Sequence, residues 1–212
     1  MQRVSAVTSG AEPRYEFDIE LPPGFVVFCD LDGTLIGTDH ANYLSYKKAV
    51  LEVTHGMHGV QHSAERLNRE SMKKQLPHLS DEEYENIVRL KAQYFPEFLS
   101  ETRVNKSLAG LVRKFSGKSK TVLVTCCRKK RAMEMLRHHK LREFFSRQIC
   151  WEDLPRGGSS NKYENALNLT RTNPAAVIVF ENDVANVEEA VLAGVPRRNV
   201  ISVVSTTEVE IS

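Results

Sequence analysis

The chain has 212 residues, of which 41% are hydrophobic and 26% are charged, and its formal net charge is +2. This length suits one sizeable domain, or one domain that carries a modest insertion. The balanced charge does not indicate nucleic acid or an acidic membrane as a partner, and no apolar run reaches the ~20 residues of a membrane-spanning helix. We therefore expect a soluble, cytoplasmic protein.

The first 20 residues form a polar leader whose composition leaves order and disorder open. Six charged residues occur between Arg3 and Glu20, and the segment lacks the apolar centre of a secretory signal. A turn at Pro22, Pro23 and Gly24 then introduces the predicted core.

Short apolar runs separated by helical patterns predict a parallel sheet. The first run, Phe25 to Cys29, is continuously apolar, as expected for a strand that helices cover on both faces. Similar runs lie at 121–125, 148–150, 176–180 and 200–204. An apolar stripe with helical spacing consists of Val104, Leu108, Leu111, Val112 and Phe115. The alternation predicts a doubly wound, Rossmann-like α/β core at 21–37 and 104–212, with ligands at the carboxyl ends of the strands.

A stretch without predicted strands interrupts this alternation at residues 38–103. Within it, Ser80 to Glu83 has the pattern of a capping box, which predicts the start of a helix. Tyr84 and Ile87 continue the helical pattern, and we expect the helix to end near Pro96. We interpret the stretch as an α-helical cap domain inserted after the first core strand.

The strongest chemical signal follows the first predicted strand, in the segment Asp30-Leu31-Asp32-Gly33-Thr34. Two carboxylates that are two residues apart at the end of a strand point into the same space. Gly33 suits a sharp turn or a close approach to a ligand. This pattern indicates a site where carboxylates act together, rather than a solvated turn.

The segment resembles the first motif of the haloacid dehalogenase-like hydrolases, and the resemblance continues in order over residues 25–204. Thr125 ends the second predicted strand, as the hydroxyl residue of the second motif does. Lys162 resembles the lysine of the third motif at the start of a helix, and Phe180 to Asp183 resembles the acidic fourth motif. The resemblance implies a phosphoryl-transfer enzyme.

The resemblance also implies a role for each group. Asp30 is the nucleophile that forms an aspartyl-phosphate, and Asp32 protonates the leaving oxygen and then activates water. Mg²⁺ is the implied cofactor, held by Asp30, by the main-chain carbonyl of Asp32 and by the fourth-motif acids. Thr125 and the next backbone N–H bind phosphoryl oxygens, and Lys162 pairs with the phosphate or with the nucleophile.

The fourth motif departs from the family pattern. The register of the following helix places Glu181 and Asn182 where a pair of acids is usual, which resembles the form seen in phosphoglucomutase-like members with Asn182 replacing an aspartate. An amide oxygen can ligate Mg²⁺ but brings no charge. We expect Glu181 and one neighbour to hold the metal, with the choice between Asn182 and Asp183 left open.

The expected substrate contacts come from the turn and from the segment after the second strand. These candidates are Gly33, Thr34, Cys126 and Arg128. Arg128 also opens a basic stretch that runs to Arg131, which we interpret as a solvated helix face because no aromatic residues interleave with the charges. Cys126 and Cys127 are expected to be reduced thiols.

A histidine cluster in the cap has two interpretations. His55, His58 and His62 surround two glycines, and no fourth zinc ligand can be placed. The loop either selects the substrate or forms a plain surface turn.

The sequence thus predicts a Mg²⁺-dependent phosphatase that acts on a small phosphorylated metabolite. A phosphomutase or another phosphotransferase of the same superfamily would use the same nucleophile and is the first alternative. A related fold that binds ligands but has lost turnover is the second, because Asn182 weakens the metal site.

Overall fold

The computed structural model describes residues 3–7, 14–18, 21–61, 67–155 and 161–203. Its strands, in chain order, are β1 (Arg3–Val7), β2 (Arg14–Asp18), β3 (Val26–Cys29), β4 (Ile36–Gly37), β5 (Arg103–Val104), β6 (Lys120–Val124), β7 (Arg147–Ile149), β8 (Val177–Glu181) and β9 (Val200–Ser202). The α-helices are α1 (Asp39–Val53), α2 (Arg69–Gln75), α3 (Asp81–Tyr94), α4 (Lys106–Ser116), α5 (Lys129–His138), α6 (Lys162–Thr170) and α7 (Val184–Leu192).

The chain divides into two compact units. One contains the described residues of Met1–Ile36 and Val104–Thr206, and the other is built from Gly37–Arg103. The chain leaves the first unit within β4 and returns to it within β5.

The first unit is built on a five-stranded parallel sheet with the order β7-β6-β3-β8-β9. The first strand of this sheet along the chain, β3, therefore lies at its centre, and later strands are added outward on both sides. This is the doubly wound arrangement that the strand pattern predicts, and the sequence-based fold class is confirmed. Its topological switch point lies between the neighbouring strands β3 and β8, where ligands bind in such sheets.

Burial explains why these segments form strands. All four residues of β3 and all five of β8 are buried, and apart from the final Glu181 of β8 both strands are apolar without alternation. One cluster of buried side chains joins β3, β6, β7 and β8 to helices α6 and α7. This close-packed core makes the sheet rigid and so fixes the positions of the residues at the ends of its central strands.

Helix α4 is shorter than its apolar stripe suggests. Leu108, Leu111, Val112 and Phe115 are buried on one face of the helix. Val104 instead lies in β5, because Asn105 caps the helix by accepting a hydrogen bond from the backbone N–H of Leu108. The prediction that Val104 belongs to this helix was wrong for that reason.

The second unit is helical and has its own apolar core. The capping box at Ser80 is present: its side chain accepts from the backbone N–H of Glu83, and the Glu83 side chain accepts from the N–H of Ser80. Helix α3 ends at Tyr94 and a 3-10 helix continues over Phe95–Glu101. Buried residues of α1, α2 and α3 pack together, among them Tyr46, Met72 and Ile87.

Two further observations concern the polar leader and the lengths of the helices. Within the polar leader, β1 and β2 pair as antiparallel strands, with Arg3 opposite Asp18; these strands were not predicted. None of the helices in the described ranges is both long and apolar enough to cross a membrane.

Candidate active site

Three neighbouring strands bring the chemically important residues to one edge of the sheet. In the parallel register, Cys29 at the end of β3 lies opposite Leu123 of β6 and Phe180 of β8. The next residue, Asp30, donates its backbone N–H to the Phe180 carbonyl at 3.0 Å. Thr125 follows β6 directly and Glu181 ends β8. The sequence-predicted residues Asp30, Thr125 and Glu181 therefore emerge at the same edge.

The turn after β3 requires glycine at position 33 for two reasons. Gly33 has a φ of +86°, a conformation that residues with a side chain rarely adopt. A Cβ atom there would lie 2.6 Å from Nδ2 of Asn182, which is closer than real Cβ contacts. The Gly33 N–H also donates to the Ile36 carbonyl at 2.8 Å, which closes the turn. The turn thus packs directly against the residue after β8.

A matched pair of glycine substitutions separates these two reasons. Gly24 has a φ of +87°, but a Cβ atom there would meet nothing within 4 Å. We expect Gly33→Ala to lower the free energy of unfolding by ~3 kcal/mol and Gly24→Ala by ~1 kcal/mol, because only the former adds a clash to the backbone strain. Urea unfolding of the two variants measures the difference, and equal losses would contradict the proposed role of the Asn182 contact.

A buried lysine joins two carboxylates at the centre of the site. Lys162 Nζ donates to Asp30 Oδ1 at 2.8 Å and to Glu181 Oε2 at 2.7 Å. Asp30, Lys162 and Glu181 are 5%, 2% and 0% exposed. Asn161 caps helix α6 through the backbone N–H of Tyr163, which makes Lys162 the first helical residue.

Burial and charge pairing shift the ionisation of this cluster. Burial raises the pKa of Asp30 to about 6, although the ammonium of Lys162 opposes the shift. Burial by itself would lower the pKa of Lys162, but the carboxylates of Asp30 and Glu181 outweigh it and raise that pKa above its ordinary value. Lys162 is therefore a permanent cation beside Asp30 near neutral pH.

Glu181 has all of its acceptor capacity filled by protein groups. Its Oε2 accepts from Lys162 and, at 2.6 Å, from the hydroxyl of Tyr163. Its Oε1 accepts from the backbone N–H groups of Asn182 at 2.9 Å and Asp183 at 3.0 Å. A carboxylate offers about four lone-pair positions, so four donors saturate it. One of these four donors, the ammonium of Lys162, also donates to Asp30.

Thr34 links the first motif to the fourth. Its Oγ1 lies 2.9 Å from Asp30 Oδ2 and 2.8 Å from Asn182 Oδ1, and it accepts from the Asn182 backbone N–H at 3.1 Å. Thr34 is completely buried. Asp30 Oδ2 and Asn182 Oδ1 therefore share the hydroxyl of Thr34 as a neighbour. Asp30 is thus held by a cation on one oxygen and by a hydroxyl on the other.

Comparison with known proteins identifies the family of the chain. The family model described as haloacid dehalogenase-like hydrolase matches residues 26–200 of the chain. The chain belongs to the haloacid dehalogenase-like hydrolase family. That match covers all of the strands β3 to β8 and every residue of the site described above.

Solved structures of similar fold are distant in sequence. A protein named as a predicted phosphoglycolate phosphatase from Haemophilus somnus is 17% identical, with a TM-score of 0.68 over 80% of this chain and 81% of that chain. A subfamily IA hydrolase of this superfamily from Geobacter sulfurreducens is 17% identical, with a TM-score of 0.66 over 89% and 92%. CbbY from Rhodobacter sphaeroides, in complex with phosphate, is 16% identical, with a TM-score of 0.67 over 88% and 90%. No curated protein sequence matches the chain significantly.

Two residues of this haloacid dehalogenase-like hydrolase are positioned by local backbone bonds. The Oγ1 of Thr125 accepts from the Cys127 N–H at 3.0 Å, which turns the chain after β6. The side chain of Asp183 accepts from the Asn186 N–H at 3.0 Å and so caps helix α7. Thr125 is buried at the strand edge, whereas Asp183 is exposed at the helix start.

Two arginines of the basic stretch after β6, Arg128 and Arg131, lie in different environments. The guanidinium of Arg128, a sequence-predicted substrate contact, lies 4.6 Å from the centre of the Trp151 ring. Arg131 was interpreted as part of a solvated helix face, but its Nη2 lies 2.5 Å from Asp32 Oδ1. That interpretation was wrong for Arg131, because helix α5 begins at Lys129 and places its first turn near the carboxyl edge of the sheet.

Sequence reasoning also missed Tyr163 as a partner of Glu181. Its hydroxyl contacts Glu181 Oε2, and its position directly after Lys162 was the only signal for it in the sequence. The usable signal for Arg131 was its place in the first turn of the helix after a central strand, where side chains can reach the sheet edge.

The donors at this edge fit a magnesium ion. Asp30, the main-chain carbonyl of Asp32 and the side-chain oxygen of Asn182 are all oxygen ligands, which Mg²⁺ prefers. In the described part of the chain no three His, Cys, Asp or Glu residues group as a metal site, so the carbonyl of Asp32 and the amide of Asn182 would have to complete the ligand set.

The role of the histidines in the helical unit stays a prediction. The rings of His58 and His78 lie 4.2 Å apart between centroids. His62 falls outside the described residues, so the two interpretations of the histidine loop stand as before.

Proposed function

We propose that this hydrolase is a Mg²⁺-dependent phosphatase that cleaves a phosphate monoester of a small metabolite through an aspartyl-phosphate on Asp30. One observation carries the proposal: the carboxylate of Asp30 is oriented by Lys162 and Thr34 at the end of the central strand, at the switch point of the sheet. The names of two structural relatives, a phosphoglycolate phosphatase and a protein in complex with phosphate, agree with it.

The proposed reaction has two steps. A carboxylate oxygen of Asp30 forms a bond to phosphorus while the bond from phosphorus to the ester oxygen breaks, and Asp32 gives a proton to that leaving oxygen. Asp32, now ionised, then accepts a proton from a water molecule that attacks phosphorus. The bond between phosphorus and Asp30 breaks, inorganic phosphate leaves, and both residues return to their starting state.

The remaining residues orient the reacting groups and compensate their charge. Lys162 balances the negative charge of Asp30, which would otherwise oppose the approach of a phosphate. Thr125 and the backbone N–H of Cys126 are proposed to bind phosphoryl oxygens, as hydroxyl and amide donors do. Gly33 and Thr34 shape the turn that faces the same edge. Arg128 is proposed to contact a part of the substrate that lies away from the phosphate.

We propose that Asp30, the Asp32 carbonyl and Asn182 hold the metal, with Glu181 and Asp183 serving other tasks. The supporting observation is that four protein donors saturate Glu181, while Asp183 caps helix α7. When bound, Mg²⁺ supplies positive charge that stabilises the transferring phosphoryl group. Because Asn182 contributes no charge, we expect weak binding of Mg²⁺.

Substitution of Asn182 by Asp tests this assignment without measuring turnover. Adding a carboxylate should tighten Mg²⁺ binding by roughly tenfold or more, because ligand charge tunes affinity for hard cations. Isothermal titration calorimetry with Mg²⁺ measures the change. The affinity should fall as the pH drops through about 6, where the Asp30 carboxylate takes up a proton that competes with the metal.

Asp183→Asn is the matched control, because it removes a carboxylate one residue away that caps a helix. We expect its Mg²⁺ affinity to equal that of the wild type. A marked loss of Mg²⁺ affinity in Asp183→Asn would move the metal to Asp183, and unchanged affinity in Asn182→Asp would contradict the assignment of Asn182.

The function itself is tested by phosphate release. We expect steady, Mg²⁺-dependent hydrolysis of p-nitrophenyl phosphate and of at least one member of a panel of phosphorylated metabolites. Isomerisation of a sugar phosphate without net phosphate release would instead indicate a mutase. A chain that binds neither Mg²⁺ nor a phosphate-mimicking fluoride, and that releases no phosphate, would be a binding protein that has lost turnover.

A further inference from the structure

The contact between Arg131 and Asp32 lies within the candidate site but has no place in the two-step scheme. Arg131 is the third residue of helix α5, and its Nη2 lies 2.5 Å from Asp32 Oδ1. The two side chains are 22% and 13% exposed, so the pair is largely shielded from water. Shielding strengthens the hydrogen bond that the guanidinium donates to Oδ1, whether the carboxyl group of Asp32 is ionised or protonated.

Neighbouring basic residues are directed elsewhere, which makes the placement of Arg131 specific. The guanidinium of Arg128 stacks over Trp151. At Lys129 the backbone N–H donates to the carboxylate of Glu152 at 2.8 Å, which anchors the start of helix α5. With its first residue anchored, the helix holds Arg131 in a defined position relative to the sheet edge.

The two aspartates of the site are restrained by different means. Asp30 is held by Lys162 and by Thr34, one on each oxygen. Asp32 follows in the turn, where its side chain receives the guanidinium of Arg131. A planar guanidinium fixes the plane and the direction of a carboxylate better than a rotating ammonium does. A residue that transfers a proton must stay within hydrogen-bonding distance of the reacting oxygen.

We propose that Arg131 is a positioning residue: its hydrogen bond to Oδ1 holds the carboxyl group of Asp32 so that Oδ2 carries the proton to the leaving oxygen. The proposal rests on the proposed function, in that it takes Asp32 as the acid and base. Arg131 acts through Asp32 and does not itself bind the phosphate. This distinguishes it from an arginine that attracts substrate by charge.

The first experiment compares two esters of similar size that differ in their need for an acid. The p-nitrophenolate ion leaves p-nitrophenyl phosphate without protonation, whereas the alkoxide of benzyl phosphate requires a proton. We expect Arg131→Met to lower kcat/KM for benzyl phosphate by about 30-fold or more, and for p-nitrophenyl phosphate by less than about threefold. Equal losses on both esters would overturn the proposal in favour of substrate binding or a general structural defect.

Three further variants sharpen the comparison. Lys130→Met makes the same kind of change at the exposed neighbour and should leave both rates unchanged. Arg131→Lys keeps the charge but loses the planar fork, so it should recover part of the rate on benzyl phosphate. In the Asp32→Asn background, Arg131→Met should cause no further loss, because the residue acts through Asp32. Additive losses in the double variant would contradict the proposal.

A second measurement does not depend on turnover. Crystal structures of the wild type and of Arg131→Met should show the Asp32 carboxylate rotated or spread over several positions in the variant. An unchanged, well-ordered Asp32 would overturn the role of Arg131 even if neither ester were hydrolysed. Failure of the wild type to hydrolyse either ester would instead count against the proposed function, so the two failures are distinguishable.

Discussion

Asp30→Asn should abolish phosphatase activity while leaving the fold intact. We expect kcat to fall by at least about three orders of magnitude, because an amide cannot attack phosphorus and removal of a nucleophile has effects of this size or greater. The fold should persist because asparagine has nearly the same shape, its oxygen can still accept from Lys162, and Glu181 still balances that lysine. Phosphate release and urea unfolding measure the two effects.

The matched control for this variant is Asp81→Asn, the same chemical change on a side chain that is 94% exposed in the helical unit. It should retain wild-type activity. Full turnover by Asp30→Asn would refute the assignment of the nucleophile. Equal loss of activity and of folding in Asp30→Asn would show that the residue is needed only for stability.

Lys162→Met should destabilise the protein by about 3–5 kcal/mol and also abolish turnover. Removing the lysine leaves Asp30 and Glu181 buried without a cation, and breaking a buried ion pair from one side has effects of this magnitude. Urea unfolding at neutral pH measures the loss. Tyr163→Phe is the comparison variant, because it removes one neutral donor from the same Glu181 oxygen and should cost only about 1 kcal/mol.

The loss in Lys162→Met should shrink as the pH falls. The pKa of Asp30 is about 6 with the lysine present, and loss of the cation raises it further. The folded variant then binds more protons than the unfolded chain between the ordinary pKa of an aspartate and this raised value, so its stability decreases with rising pH. A difference from the wild type that stays constant between pH 5 and pH 8 would contradict the charge argument.

The sheet and the order of its motifs were readable from the sequence because they depend on local composition. A strand covered on both faces is mostly apolar, and so are β3 and the first four residues of β8. The carboxyl ends of parallel strands share one edge, so Asp30 and Thr125 could be placed together before any coordinates were known. The capping box at Ser80 was likewise a local signal, and it is present.

The roles within the fourth motif could not be predicted in this way. From the sequence we expected Glu181 and one neighbour, Asn182 or Asp183, to hold the metal, and our proposal that Asn182 does so instead of Glu181 rests on contacts that the sequence does not show. Glu181, at the end of β8, accepts hydrogen bonds from four donors, and two of these, Lys162 and Tyr163, lie in helix α6. Sequence spacing carries no information about how many donors converge on a buried carboxylate.

By itself, the sequence determined the class of fold, the family and the aspartate that we propose as nucleophile, since these follow from local patterns repeated in order along the chain. The tertiary structure decided which partner each charged group has. Arg131 lies 99 positions from Asp32 in the chain and 2.5 Å from it in space. The physical reason is that two side chains meet at the edge of a sheet only when the order of the strands and the first residue of the following helix bring them together. Both are properties of the packed core as a whole.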